Sequence, residues 1–161
     1  MRVPGEYAAD FLDQVTAGLC ASKPVITLGA GDLLDSVRRF IASHGPGTSH
    51  QGFPVVDVDG NMVGVVTRRD LLDPEHPGTA RVSELIRRPL AVVFEDTSLR
   101  EAADHMLQEE VGRLPVVSRT APRKPVGILT RSDLLAAHRR RLHETHVAEQ
   151  SLSFRARIDR T

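Results

Sequence analysis

A threonine followed three residues later by an aspartate occurs twice in this chain, each time at the end of an apolar run. Thr67 and Asp70 form the first pair, and Thr130 and Asp133 form the second. If each threonine ends a strand and opens a helix, its hydroxyl and the free N–H groups of the first turn can bind phosphate. The carboxylate one turn further on can accept two hydrogen bonds from a ribose diol. Basic side chains that could neutralise phosphate charge follow each threonine: Arg68, Arg69 and Arg131.

The same spacing has a purely structural interpretation. A threonine at the N-cap of a helix accepts a hydrogen bond from the backbone of the third helical residue, and an acid at that position completes a capping box. Such a cap contributes about 1 kcal/mol of stability. The second copy has Ser132 where the first has Arg69, so it offers one cation fewer for phosphate. The pattern leaves both interpretations open.

Composition and the remaining motifs argue against several classes of function. The 21 basic and 21 acidic residues cancel, so no nucleic acid is expected as a partner. No Ser/His/Asp grouping, Gly-rich phosphate loop or CxxC pair is placed to support catalysis, which predicts a protein that is not an enzyme, needs no cofactor and binds no metal. The single cysteine, the absence of a signal peptide and the lack of any apolar run near the ~20 residues that span a bilayer predict a cytoplasmic chain.

The threonine and aspartate pairs belong to a longer repeat. Residues 53–72 and 114–135 each contain a proline, an apolar run, a turn, a second apolar run opened by glycine, and Thr-Arg-x-Asp-Leu-Leu. The offset between the copies is 61 at Pro54 and 63 at Thr67, and it is 65 further upstream at Pro24. A unit of about sixty residues therefore occurs twice. Units of that size are marginal alone, so we expect them to share a core or to pack tightly together.

Apolar periodicity predicts the order β-α-β-β-α in each unit, and hence an α/β fold (an α+β sandwich) of two pseudo-symmetric repeats. Within the units we expect a capping box at Asp32 and Asp35, a hairpin turn at Asp59-Gly60, a loop over 118–125 and a long helix from Asp133 to about Gln150. The predicted segments along the chain are a linker helix within 1–16, a first repeat at 17–80, a second repeat at 81–137, and a C-terminal helix and tail at 138–161.

Both copies resemble the CBS domain (cystathionine-β-synthase domain), and together they resemble the tandem pair called a Bateman module. The resemblance lies in [FL]-P-V-V, a hairpin and G-[VI]-[VL]-T-R-x-D-L-L, in register in the two copies. The flanks at 6–11, 50–54 and 137–142 are similar to the cytosolic C-terminal region of bacterial ClC-type chloride channels and transporters. That second resemblance implies a membrane channel domain preceding this chain and a position at the cytosolic face of the inner membrane.

The resemblance implies a non-catalytic regulatory module that binds an adenine nucleotide, AMP, ADP or ATP, in a cleft between the repeats. Thr67, Asp70, Thr130 and Asp133 would contact phosphate and ribose. Apolar residues would line the space for adenine: Ile26, Thr27 and Pro54 in the first unit, Val93 and Pro115 in the second. The resemblance also implies a flat homodimer that pairs through the repeat helices. The competing hypothesis is a structural dimerisation module whose clefts bind nothing.

Overall fold

The sequence repeat produces two three-stranded sheets with the same topology. The computed structural model describes residues 12–159, with side chains described for residues 12–150. In each sheet the first strand runs parallel to the second, which pairs antiparallel with the third. The first sheet contains β1 (Leu28–Gly29), β2 (Gly52–Val56) and β3 (Met62–Thr67), and the second contains β4 (Val93–Phe94), β5 (Arg113–Ser118) and β6 (Ala121–Thr130). The predicted α/β fold class is confirmed.

Helices cover these sheets and bury their apolar faces in two cores. The α-helices are α1 (Ala17–Cys20), α2 (Leu34–Ala42), α3 (Arg68–Leu72), α4 (Leu99–Glu109) and α5 (Arg131–Asp159), with a 3-10 helix at Val82–Leu85. In α2 the buried residues are Leu34, Val37 and Ile41, a spacing of three and four that places them on one face. Within residues 12–159 no helix, α5 included, is long and apolar enough to cross a membrane.

The segment that precedes each sheet in the chain packs into the core of the other unit. Ala17, which precedes the first sheet in the chain, is completely buried in the core of the second unit. Val82 and Leu85, which precede the second sheet in the chain, are buried in the core of the first unit. Backbone bridges fix both exchanges, Thr16 with Ser98 and Leu33 with Arg81. Each core is therefore incomplete without the other half of the chain, which meets the expectation that the units pack tightly together.

The predicted capping box at Asp32 and Asp35 is wrong. The N-cap of α2 is Leu33, and the Asp32 carboxylate instead accepts a hydrogen bond of 2.9 Å from the backbone N–H of Gly29. The first N–H groups of α2 are satisfied from a distance, because Leu34 donates to the carbonyl of Ala80 and Asp35 to that of Gly78. Contacts between segments thus replace the local side-chain cap.

The predicted loop over 118–125 is also wrong, because β6 begins at Ala121 and leaves Arg119 and Thr120 as the turn. The strand includes Pro122 and Pro125, which it can do as an edge strand where missing backbone donors are tolerated. The turn at Gly60 is confirmed and has a φ of 80°. The long final helix is present and extends to Asp159. Of the predicted N-terminal helix, residues 6–11 lie outside the described residues.

Arg38 ties α2 to the segment that follows α3. Its half-buried guanidinium donates to three backbone carbonyls, those of Leu71 at 2.8 Å, Asp73 at 2.9 Å and His76 at 2.8 Å. These carbonyls lie at and beyond the C-terminal end of α3, where the helix itself supplies no donors. Arg38 therefore fixes the position of the short helix that begins with the first threonine motif.

Replacing Arg38 with methionine is expected to lower the free energy of unfolding by about 2 kcal/mol, because three carbonyls lose a charged donor. Chemical unfolding in urea would measure the change. Arg39→Met is the matched control, since Arg39 is exposed and makes one hydrogen bond, to Ser36. Equal effects of the two substitutions would contradict the structural role assigned to Arg38.

Candidate functional site

The end of β3 borders a cavity of about 390 Å³ between the two units. Thr67 and Asp70 form part of its wall on the side of the first unit. The lining residues from the second unit include Val111, Gly112, Arg113 and the segment 87–91, which precedes β4. The structure thus brings the first predicted pair into a cleft that both units build.

Thr67 serves as the N-cap of α3, as the structural interpretation predicts. Its backbone is extended and its hydroxyl oxygen accepts a hydrogen bond of 3.1 Å from the backbone N–H of Asp70. The hydroxyl proton stays free to donate to a ligand. The Asp70 carboxylate accepts no hydrogen bond from the residues that the structure describes, although it lies in the cavity wall. The cap therefore uses the threonine and leaves the aspartate available.

The second pair differs, because Thr130 and Asp133 bond to each other in both directions. The Thr130 hydroxyl oxygen accepts from the backbone N–H of Asp133 at 3.2 Å, and the Asp133 carboxylate accepts from the backbone N–H of Thr130 at 2.9 Å. This is a complete capping box at the start of α5. One oxygen of the Asp133 carboxylate is thus already engaged at the start of the helix, unlike that of Asp70.

Arg113 lines the cavity and is not among the residues that the sequence predicts for the site. Its Nη1 atom is buried and has no hydrogen-bond partner among the described residues. Burial lowers the pKa of the Arg113 guanidinium from its ordinary value, and the positive charge of Arg131 lowers that pKa further. The guanidinium lies against Gly52, where any Cβ atom would collide with Arg113 Cδ and Nη1. Gly52 is the repeat equivalent of Arg113, so this contrast was the signal in the sequence.

The arginines predicted to neutralise phosphate do not line the cavity. Arg68 donates from its side chain to the carbonyl of Thr48 and from its backbone to that of Gln51, so it holds the loop before β2. Arg69 is exposed. Arg131 is exposed and donates its backbone N–H to the carbonyl of Gly112. The cations in the wall are instead Arg87, Arg88 and Arg113.

The predicted apolar lining is likewise placed elsewhere. Pro54 and Pro115 are buried inside the sheets, where they pair with Val65 and Ile128. Val93 belongs to the second core, Ile26 packs on the first core, and Thr27 is exposed. None of these predicted residues lines the cavity at Thr67. Its apolar wall consists of Val65, Leu85, Pro89, Leu90, Ala91 and Val111.

Two sheets of equal topology, exchanged segments and a cleft at a Thr-x-x-Asp motif define a tandem CBS pair. The CBS domain family model matches residues 17–74 and 82–140, so the chain belongs to the CBS domain family. The chain is 30% identical over 112 residues to an inosine-5'-monophosphate dehydrogenase of Korarchaeum cryptofilum. That match covers 70% of this chain and 22% of the dehydrogenase. The chain thus spans about a fifth of the length of the dehydrogenases that it matches.

Two solved structures of similar fold carry adenine nucleotides. CBSX2 in complex with AMP is 27% identical, with a TM-score of 0.61, and the match covers 76% of this chain and 94% of CBSX2. The cytosolic domain of the Mg2+ channel MgtE in complex with ATP is also 27% identical, with a TM-score of 0.65. That match covers 81% of this chain and 52% of the MgtE domain. Both of these CBS neighbours are therefore complexes with an adenine nucleotide.

The two aspartates are expected to differ in their effect on stability. Asp133→Ala removes the acceptor for the Thr130 N–H and should lower the free energy of unfolding by about 1 kcal/mol. Asp70→Ala removes no hydrogen bond and should change it by less than about 0.5 kcal/mol. Urea unfolding of both variants without ligand measures the difference, and equal losses would contradict the asymmetry of the two caps.

Arg113→Met is expected to raise the free energy of unfolding by about 1 kcal/mol, because it removes a buried donor that has no partner and a charge close to Arg131. Arg123→Met, a change at an exposed arginine of β6, is the control and should alter stability by less than about 0.5 kcal/mol. A loss of stability in Arg113→Met would show that the guanidinium holds the fold together.

Proposed function

We propose that this chain is a non-catalytic regulatory module that binds an adenine nucleotide, AMP, ADP or ATP, in the cavity at Thr67 and Asp70. The observation that carries the proposal is the buried Nη1 atom of Arg113, which has no partner among the described residues. A buried guanidinium N–H without an acceptor costs free energy, so an acceptor supplied by a ligand would stabilise it. A phosphate group supplies both the charge and the acceptors.

The rest of the cavity suits the other parts of a nucleotide. Asp70 offers a carboxylate for the two hydroxyls of a ribose, and the Thr67 hydroxyl can donate to a phosphate oxygen. Val65, Leu90 and Val111 offer apolar surface for the faces of a purine. Arg87 and Arg88 add positive charge beside Arg113. The AMP and ATP complexes of the related CBSX2 and MgtE support the same ligand class.

Regulation would arise from a shift between two conformations. The cavity wall combines residues of both units, so a bound nucleotide stabilises the relative arrangement in which the two walls fit it. Such a ligand moves the equilibrium only by its difference in affinity for the two states. CBS pairs are generally regulatory, and dehydrogenases related to this chain carry them as a part of a longer protein.

The partner proteins stay predictions. We propose a homodimer through the repeat helices, on which Leu107 exposes 78% of its surface. A ClC-type host at the cytosolic face of a membrane was suggested by flanking segments, and residues 6–11 of these lie outside the described residues. In the segment 50–54, the rings of His50 and Phe53 stack with their centroids 6.1 Å apart. This packing gives both residues a structural role that does not require a channel partner. Co-purification with a full-length transporter would test that host.

Titration calorimetry tests the proposed ligand. AMP, ADP or ATP should bind saturably to the wild-type chain without being converted. Asp70→Ala and Arg113→Met should each weaken that binding about 10- to 100-fold, since a hydrogen bond to a charged group contributes about 1.5–3 kcal/mol. Asp104→Ala and Arg123→Met, both at exposed positions, should bind as wild type does.

Absence of heat with all three nucleotides, in folded protein shown to be free of nucleotide, would contradict the proposal. A dimer in that case would favour the structural dimerisation module. Conversion of the nucleotide during the titration would instead indicate an enzyme.

A further inference from the structure

We infer that this chain holds one nucleotide, in the cleft at Thr67 and Asp70, and that the equivalent cleft at Thr130 and Asp133 is closed by the chain itself. The inference rests on the proposed function and adds the number and place of its sites. It follows from comparing the two halves position by position, because the repeat relates Val65 to Ile128 and the segment 86–88 to 21–23.

The two halves make equivalent backbone bridges at the start of their exchanged segments. The bridge between Thr16 and Ser98 and the bridge between Leu33 and Arg81 join equivalent positions, with the roles of the halves reversed. Six residues after Thr16 the match ends. Ser22 forms a second bridge, with its N–H donating to the carbonyl of Ile128 at 2.9 Å and its carbonyl accepting from the N–H of Ile128 at 3.3 Å.

At the equivalent place in the first unit there is a cavity. Arg87 corresponds to Ser22 and Val65 to Ile128, and within the described part of the chain no bridge joins them. Both residues line the cavity at Thr67 instead. The segment 21–23 therefore pairs with β6, the third strand of the second sheet. The equivalent segment 86–88 does not pair with β3, the third strand of the first sheet.

The size of one side chain accounts for this difference. In the first unit Ile86 covers Gly64, and its side-chain atoms come within 2.7 Å of where a Cβ would stand on that glycine. In the second unit Ala21 covers Gly127, and the carbonyl oxygen of Ser22 approaches to 3.2 Å of the corresponding point. The isoleucine acts as a spacer that keeps the segment 87–91 off β3. The alanine lets the backbone come close enough to bridge.

The charged side chains also favour the cleft at Thr67 over the cleft at Thr130 as the ligand site. Arg113 lines the open cleft, and its repeat equivalent is Gly52, which has no side chain to offer to the other cleft. Arg113 itself occupies the space beside Gly52, so no larger residue fits there. The Asp133 carboxylate is bonded within its capping box, whereas that of Asp70 is not. Three differences therefore assign the ligand to the cleft at Thr67: the bridge that closes the other cleft, the position of Arg113 and the state of the Asp70 carboxylate.

The first test is the stoichiometry of AMP, ADP and ATP binding to the whole chain, from calorimetry and equilibrium dialysis at a known concentration of folded protein. One nucleotide per chain is expected, and two per chain would overturn the inference while leaving the proposed function intact. Absence of binding by all three adenine nucleotides would overturn the proposed function itself. The two failures are thus distinguishable.

The second test assigns the site through paired substitutions. Asp133→Asn should bind one AMP per chain with an affinity within about twofold of wild type, whereas Asp70→Asn should lose at least tenfold. The reverse order would overturn the inference.

The third test addresses the spacer. Ile86→Ala should weaken AMP binding at least tenfold and slow amide hydrogen exchange at Arg87, because the segment can then bridge to Val65. Ile86→Leu, which keeps the side-chain volume, should bind as wild type does. Unchanged affinity and exchange in a folded Ile86→Ala variant would overturn the spacer role.

Discussion

One guanidinium nitrogen of Arg113, a half-buried residue between the two packed units, is buried without a hydrogen-bond partner among the described residues, and the account of the site depends on this atom. Arg113 lies there because Gly52 leaves room for it, and one of its nitrogens has no acceptor among the described residues. The cavity beside it has apolar walls, the Asp70 carboxylate, which accepts no hydrogen bond from the described residues, and Thr67, the residue that caps α3. These features suit an anion attached to a ribose and a base, and CBS neighbours bind such ligands.

The exchange of segments explains how such a site can be built from a repeat. Each core is completed by residues that precede the other unit's sheet, so the two halves hold each other in a fixed arrangement. A small number of differences then breaks the symmetry between the clefts. Ile86 against Ala21 and Arg113 against Gly52 are single positions in the repeat, and both lie outside the Thr-x-x-Asp motif. Duplication fixes the scaffold, and positions beside the motif decide what each cleft can bind.

Local patterns predicted the fold because its elements are encoded locally. The turn at Gly60, the apolar face of α2 and the two threonine caps follow from spacing and turn chemistry. The errors arose where distant residues intervene, as when carbonyls of the segment 78–80 replace the expected cap at Asp32. The cavity residues could be predicted from the sequence only in part, for the same reason. Thr67 and Asp70 carry a motif, whereas Arg113 is distinguished only by contacts that the folded chain creates across the two units.

The most direct measurement is a crystal structure of the whole chain with AMP. The account predicts one AMP per chain, with a phosphate oxygen within hydrogen-bond distance of Arg113 Nη1 and the ribose hydroxyls on the Asp70 carboxylate. It also predicts that the Ser22 bridge and the capping box at Thr130 stay intact in the complex. AMP bound at Thr130 and Asp133, or a phosphate in the first cleft directed away from Arg113, would contradict it.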